Sequence, residues 1–187
     1  MPRISPRWIL GFILSLAALL RFWNLGTPAT LVFDEVYYVD GARDHLLSGV
    51  ELTNGKAEFI VHPPLGKWLI AIGIALFGDN PTGWRVFAAL FGVLSIALIY
   101  LVARRLFNSE YLALVAAGLM TIDGLHLVMS RTALLDIFLM FFLLAAFLAL
   151  IYEKHLLVAV SLGLALATKW SALYFILAIG IYLLVTN

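Results

Sequence analysis

The sequence predicts an all-α membrane protein whose helices cross a bilayer several times. Composition is the first reason. Of 187 residues, 64% are hydrophobic and 12% charged, and mean hydropathy is +1.04. A soluble domain of this size cannot hide so much apolar surface, because too large a share of it stays outside. Pattern is the second: the apolar residues fall in runs near the roughly 20 residues a helix needs to cross the hydrocarbon core. The formal net charge of +1 gives no pull toward nucleic acid. Cysteine is absent, so disulfides and thiolate metal sites are excluded.

The first run, 8–25, follows a short segment carrying Arg3 and Arg7. It closes on Arg21, Phe22, Trp23 and Asn24 rather than on a small-residue cleavage site, so it reads as an uncleaved span. Further spans are expected at 84–106, 111–128, 132–152, 156–168 and 170–186. The apolar run 68–77 covers only about 15 Å as a helix, too short to cross. Placing Arg3 and Arg7 in the cytoplasm, and 65–77 in the interface, returns Arg104, Arg105 and the turn Glu153, Lys154, His155 to the inner side, as the positive-inside rule prefers.

Residues 26–83 then form one outer loop with interfacial helices at 35–48 and 65–77. The first sets Val36, Tyr38, Val39, Ala42, Leu46 and Leu47 on one stripe, with Asp40, Arg43 and Asp44 opposite. Ser48-Gly49 and Asn54-Gly55 are turn signals. Pro63 and Pro64 bar helix at that point and lead into the second. The chain reads as a single transmembrane domain, 1–187, without repeats.

The charges left over gather on the outer face. Asp34 and Glu35 stand just past the first span, where acids are costly unless used or paired; capping the flat helix is the plain alternative. His62, Pro63, Pro64, Leu65, Gly66 and Lys67 put a cation beside the unpaired amides of a helix start. That suits an anion such as phosphate, and a structural turn with a snorkelling lysine is the plain alternative. Arg85 and Arg131 fall at outer ends, where basic anchors are not expected. Binding phosphate explains them, as does pairing with Asp34, Asp79 or Asp136. Asp136, Asp123 with His126, and Lys169 lie near or inside span ends, so each is a functional candidate, with a buried structural pair as the plain alternative. His62, Asp34, Glu35 and Asp136 could ligate magnesium or manganese, but their spacing matches no zinc pattern and no cofactor is assigned.

In this order the motifs resemble the protein O-mannosyltransferase family, glycosyltransferase family 39. The match runs through Phe33-Asp34-Glu35-Val36-Tyr37-Tyr38, His62-Pro63-Pro64-Leu65-Gly66-Lys67 and Trp84-Arg85-Val86. It continues through Ser130-Arg131-Thr132-Ala133-Leu134-Leu135-Asp136 to Lys169-Trp170-Ser171. It covers nearly everything from Trp23 onward. The wider group of polyprenyl-phosphate-sugar transferases shares an acidic pair and a proline motif, but the His-Pro-Pro-Leu-Gly-Lys form looks like the mannosyl branch.

The resemblance implies a multi-span glycosyltransferase type C fold. It implies transfer of mannose from a polyprenyl (dolichyl-type) phosphate to Ser/Thr hydroxyls of secreted proteins at the outer face, with inversion. Asp34 maps to the base, with Glu35 beside it. His62, Lys67, Arg85, Arg131, Asp136 and Lys169 are the expected substrate and phosphate residues. A serine hydroxyl needs a carboxylate to take its proton, whereas a leaving phosphate needs cations rather than a general acid. Family members have more spans, so missing C-terminal helices or a partner subunit are expected to complete the donor groove. Compact loops favour a bacterial inner membrane over an endoplasmic reticulum. Transfer of another sugar to a lipid or cell-wall glycan is the nearest alternative. A transporter would place its charges near mid-bilayer, and a scaffold would use the outer loop for docking.

Overall fold

The computed structural model describes residues 5–53, 56–57 and 61–186, and helices account for most of them. In chain order these are α1 (Pro6–Phe22), α2 (Glu35–Ser48), a hairpin of β1 (Leu52–Thr53) and β2 (Lys56–Ala57), and α3 (Leu65–Phe77). Then come α4 (Pro81–Phe107), α5 (Glu110–Ile122), α6 (Gly124–Met129), α7 (Leu135–Ile151), α8 (His155–Thr168) and α9 (Ala172–Thr186). The strands run antiparallel, with Leu52 opposite Ala57 and Thr53 opposite Lys56. The expected Asn54-Gly55 turn and Arg3 lie outside the described residues.

Local chemistry sets most boundaries. Asn80 accepts from the amides of Thr82 (3.0 Å) and Gly83 (3.2 Å), and Pro81 follows it, so α4 starts with a strong cap. Gly49, at φ +74°, closes α2 in the left-handed region. The run 111–128, expected as one helix, is two. At Asp123 the backbone turns extended, and its carboxylate accepts from the His126 amide at 2.7 Å to start α6. An aspartate inside an apolar run competes for backbone donors, and here it wins.

Among the described residues only α4, with 27 residues, is both long and apolar enough to cross a membrane by itself. It packs against α1, α3, α5, α6 and α7, so the rest of the fold is hung on it. The α1–α4–α5 seam is built on small residues: Ala17, Ala103, Ala113 and Ala117 are all buried. Small residues let backbones approach where lipid removes the usual hydrophobic drive. Between α4 and α7 the seam is aromatic, with Phe91 edge-on to Phe138 (5.1 Å), Phe141 (4.8 Å) and Phe142 (5.8 Å). The largest core joins α2, α3, α4, α7 and α8 through Val39, Ile70, Ala88, Leu135, Phe138 and Ala165.

The α3–α4 turn depends on glycine. A Cβ added at Gly83 would stand 2.0 Å from the Gly78 carbonyl oxygen, and one at Gly73 would stand 2.3 Å from the Gly83 carbonyl oxygen. These obstacles are backbone and cannot rotate away. Gly83→Ala is expected to lower stability by about 1–3 kcal/mol through overpacking. Gly118→Ala, which meets nothing within 4 Å, is expected to be neutral. Thermal melting of the two variants in detergent checks this, and equal midpoints would contradict it.

Candidate active site

Adjacent acids at the start of α2 take opposite environments. Glu35 is fully buried and forms a bidentate pair with Arg85, itself fully buried, at 2.7 Å from both Nε and Nη2. Glu35 also accepts from the amides of Val32 (2.9 Å) and Ala133 (2.7 Å). Arg85 spends its remaining donors on the carbonyls of Pro28 (2.8 Å), Thr30 (3.0 Å) and Leu25 (3.4 Å). Every strong bonding direction of the two ions is thereby used. Phe33, at φ +52°, holds a left-handed conformation unusual for a bulky residue, and the Glu35–Val32 bond closes the turn around it.

Asp34 occupies the N-cap position of α2, yet its side chain makes no capping bond. Among the described residues its carboxylate meets only the Tyr38 hydroxyl, at a long 3.5 Å. Tyr38 sits one turn on, and burial, then the charges of Asp34 and Asp136, push its hydroxyl up to about 12, so it stays protonated and donating. The capping alternative for Asp34 is therefore not what the structure adopts.

His62 stands across from this acid, its ring 6.2 Å from that of Tyr38. It is held below its ordinary value by burial first, then by Lys169 and Lys67, with Asp136 and Asp34 opposing. Its buried Nδ1 has no hydrogen-bond partner among the described residues. Lys169, at the end of α8, reaches both carboxylate oxygens of Asp136 at 2.7 and 2.9 Å, and the pair remains partly open at 21% and 44% side-chain exposure. Asp34, Tyr38, His62, Asp136 and Lys169 thus share one partly open rim.

Three of the four expected phosphate-binding cations are committed elsewhere. Arg85 pairs with Glu35, which was not among the partners expected for it. Lys67 is buried against Glu51, with His45 3.3 Å from the other Glu51 oxygen. Arg131 donates to the carbonyls of Leu20 (2.6 Å), Arg21 (3.1 Å) and Trp23 (2.9 Å), which caps the C-terminal end of α1. The reasons are shared: a buried cation is tolerable only when paired, and an exposed helix end supplies carbonyls. Gly66 permits close approach, since a Cβ there would lie 2.5 Å from the Leu135 side chain.

Glu51 and Tyr38 are the site residues that sequence reasoning did not single out. Tyr38 follows Asp34 by four residues, a spacing that would have flagged it. Glu51, sixteen residues from Lys67, offers no such signal. Asp123 and His126 fall away from the rim. The first caps α6, and the second lies 2.6 Å from the Arg21 guanidinium. Asp79 binds Arg43 at 2.9 and 3.0 Å and Trp84 at 2.6 Å, tying α2 to the α3–α4 turn. Those Arg43 bonds hold it below the usual carboxylate range, with burial opposing. Among the described residues no group of three or more His, Cys, Asp or Glu is placed to hold a metal ion.

Removing one partner of a buried pair strands the other charge, so Glu35→Ala is expected to cost about 3–5 kcal/mol. Asp34→Asn is expected to leave the melting midpoint unchanged, and an equal loss for both variants would contradict the division. His62 adds a pH dependence. Between its lowered value and the ordinary 6.5, the unfolded chain takes the proton and the folded one does not. Stability therefore falls as pH drops through that window. His62→Gln is expected to retain more of its neutral-pH melting temperature near pH ~5.5 than wild type does; parallel curves would contradict this.

Sequence profiles described as dolichyl-phosphate-mannose-protein mannosyltransferase match residues 61–187 and 11–84. A polyprenol-phosphate-mannose–protein mannosyltransferase of Mycolicibacterium smegmatis is 40% identical over 94% of this chain and 40% of its own length. One from Mycobacterium tuberculosis is 41% identical over 92% of this chain and 40% of its own. The chain thus spans about two fifths of the length of these curated relatives. The structure of the S. cerevisiae protein O-mannosyltransferase Pmt1-Pmt2 complex bound to the sugar donor superposes with a TM-score of 0.84. It has 26% identity and covers 98% of this chain and 28% of that one. The expected glycosyltransferase type C fold is the fold observed. With one of the profiles spanning residues 61–187, well over half of the sequence, the chain belongs to the dolichyl-phosphate-mannose-protein mannosyltransferase family.

Proposed function

We propose that the protein moves mannose from a polyprenyl phosphate onto a serine or threonine hydroxyl of a protein at the outer face of a membrane, with inversion. The observation that carries this reading is the contrast between neighbours: Glu35 is saturated by four donors, while Asp34 is left open toward His62, Asp136 and Lys169. A carboxylate without a capping bond can take a proton. As the acceptor oxygen attacks the anomeric carbon, Asp34 receives its hydrogen. The bond between that carbon and the phosphate oxygen breaks, and its electron pair leaves on the polyprenyl phosphate. Attack opposite the leaving group inverts the centre.

Lys169 supplies the positive charge nearest the open rim, held in place by Asp136. His62, kept neutral by burial and by neighbouring cations, offers a ring nitrogen to a hydroxyl or a phosphate oxygen. Lys67 and Arg85 act from behind by fixing the His-Pro-Pro segment and the Asp-Glu turn. The relatives' names supply the donor class, polyprenol-phosphate-mannose. Those relatives are mycobacterial, which supports a bacterial inner membrane. The runs 8–25, 84–106, 111–128, 132–152, 156–168 and 170–186 are the proposed crossings, with α2 and α3 in the outer interface. The yeast relative is a complex of two subunits, and a partner subunit or further helices would complete the lipid groove here.

The test uses membranes bearing the intact enzyme, labelled polyprenyl-phosphate-mannose and a Ser/Thr peptide. Label is expected in the peptide. Asp34→Asn is expected to lower kcat at least about 100-fold, the range of general-base catalysis. Lys169→Ala is expected to raise the donor KM more than it lowers kcat. Label confined to lipid, or full activity in the Asp34 variant, would contradict the proposal.

A further inference from the structure

α4 and the segment entering α7 both start at the candidate site, where Arg85 and Ala133 meet Glu35, and both helices run away from it. Arg105 follows Arg85 by twenty residues on α4. That is about 30 Å along a helix, the thickness of a bilayer's hydrocarbon core. At this far end a cavity of 310 Å³ opens between the C-terminal ends of α4 and α7, lined by Leu101, Arg104, Arg105, Asn108 and Tyr152. Small-molecule sites begin at about this size.

The two arginines differ in how their charge is used. Arg104 pairs with Glu110 at 2.8 Å, and Glu110 also accepts from the Tyr100 hydroxyl. Arg105 pairs with no carboxylate among the described residues; its guanidinium stands 5.0 Å over the Tyr152 ring instead. Stacking fixes the guanidinium plane and leaves the donors at its edge for an acceptor. Two guanidinium groups and one carboxylate leave about one positive charge beside the cavity. The partial negative charge at the helix ends helps to hold the arginines there.

We propose that this cavity binds the phosphate of an anionic phospholipid in the leaflet opposite the candidate site. The proposal rests on the chain being embedded in a bilayer, not on the transfer reaction. A phosphate diester fits a planar, stacked cation beside an amide and a second guanidinium. Exposed Leu101 and Phe147, on the stretches of α4 and α7 that lead into the cavity, offer apolar surface to acyl chains that a free phosphate would not use. Basic pockets between helices on the positively flanked side of a membrane bind such headgroups in general.

Native mass spectrometry of the intact protein in detergent tests this, with phosphatidylglycerol, phosphatidylcholine and inorganic phosphate as probes. Wild type is expected to retain phosphatidylglycerol over phosphatidylcholine. R105Q is expected to bind it about tenfold more weakly, with an unchanged melting midpoint and unchanged mannosyl transfer. R105K keeps the charge but loses the stacked plane, and is expected to retain an intermediate amount; it carries the test if R105Q does not fold. Equal retention of the two lipids would overturn the proposal, as would wild-type retention of phosphatidylglycerol in both variants. Displacement of phosphatidylglycerol by millimolar inorganic phosphate would overturn the lipid as the ligand in favour of the free anion.

Discussion

The buried Glu35–Arg85 pair is the constraint on which the site-bearing end of this fold depends. It ties the start of α2 to the first turns of α4, to the carbonyls of residues 25–30 and to the amide just before α7. Two ions removed from water lose several kcal/mol of hydration each, and only excellent geometry with every remaining direction satisfied offsets that. Here the carboxylate has four donors and the guanidinium five acceptor contacts. Such a pair adds little net stability over an apolar substitute. What it adds is direction, because this arrangement of the segments satisfies both ions.

Direction matters to the neighbouring residue. Glu35 turns inward, the backbone at Phe33 is left-handed, and Asp34 is left without a capping bond. Two acids adjacent in sequence thereby take opposite environments, one saturated and one left open. A second pair, Glu51 with Lys67, fixes the start of α3 in the same way, so His62 is held beside Tyr38 without being consumed by an ion pair. The paired Lys169 and Asp136 are the partly open counterpart.

Much of this was legible in the sequence. The bounds of α2 and α3 follow from the Ser48-Gly49 turn signal and from Pro63 and Pro64, and the charges at 34, 62, 136 and 169 do gather. The ion partners were not legible. Arg85 and Glu35 are fifty residues apart, and helical spacing carries no information over that distance. Arg131 looked like a phosphate ligand because the end of α1, 108 residues away at Trp23, supplies carbonyls rather than a charge. Asp123, a functional candidate by its place near a span end, instead serves the local backbone with its short side chain.

A double-mutant cycle on Glu35→Gln and Arg85→Gln, read by melting of the full-length protein, tests most directly whether the two side chains act as one unit. Each single variant leaves an ion or an amide stranded, and the double variant strands no charge. The double variant is expected to lose scarcely more than either single one, with a coupling energy of about 3 kcal/mol. Losses that simply add would show that the two side chains act independently, and that Asp34 is positioned by something else.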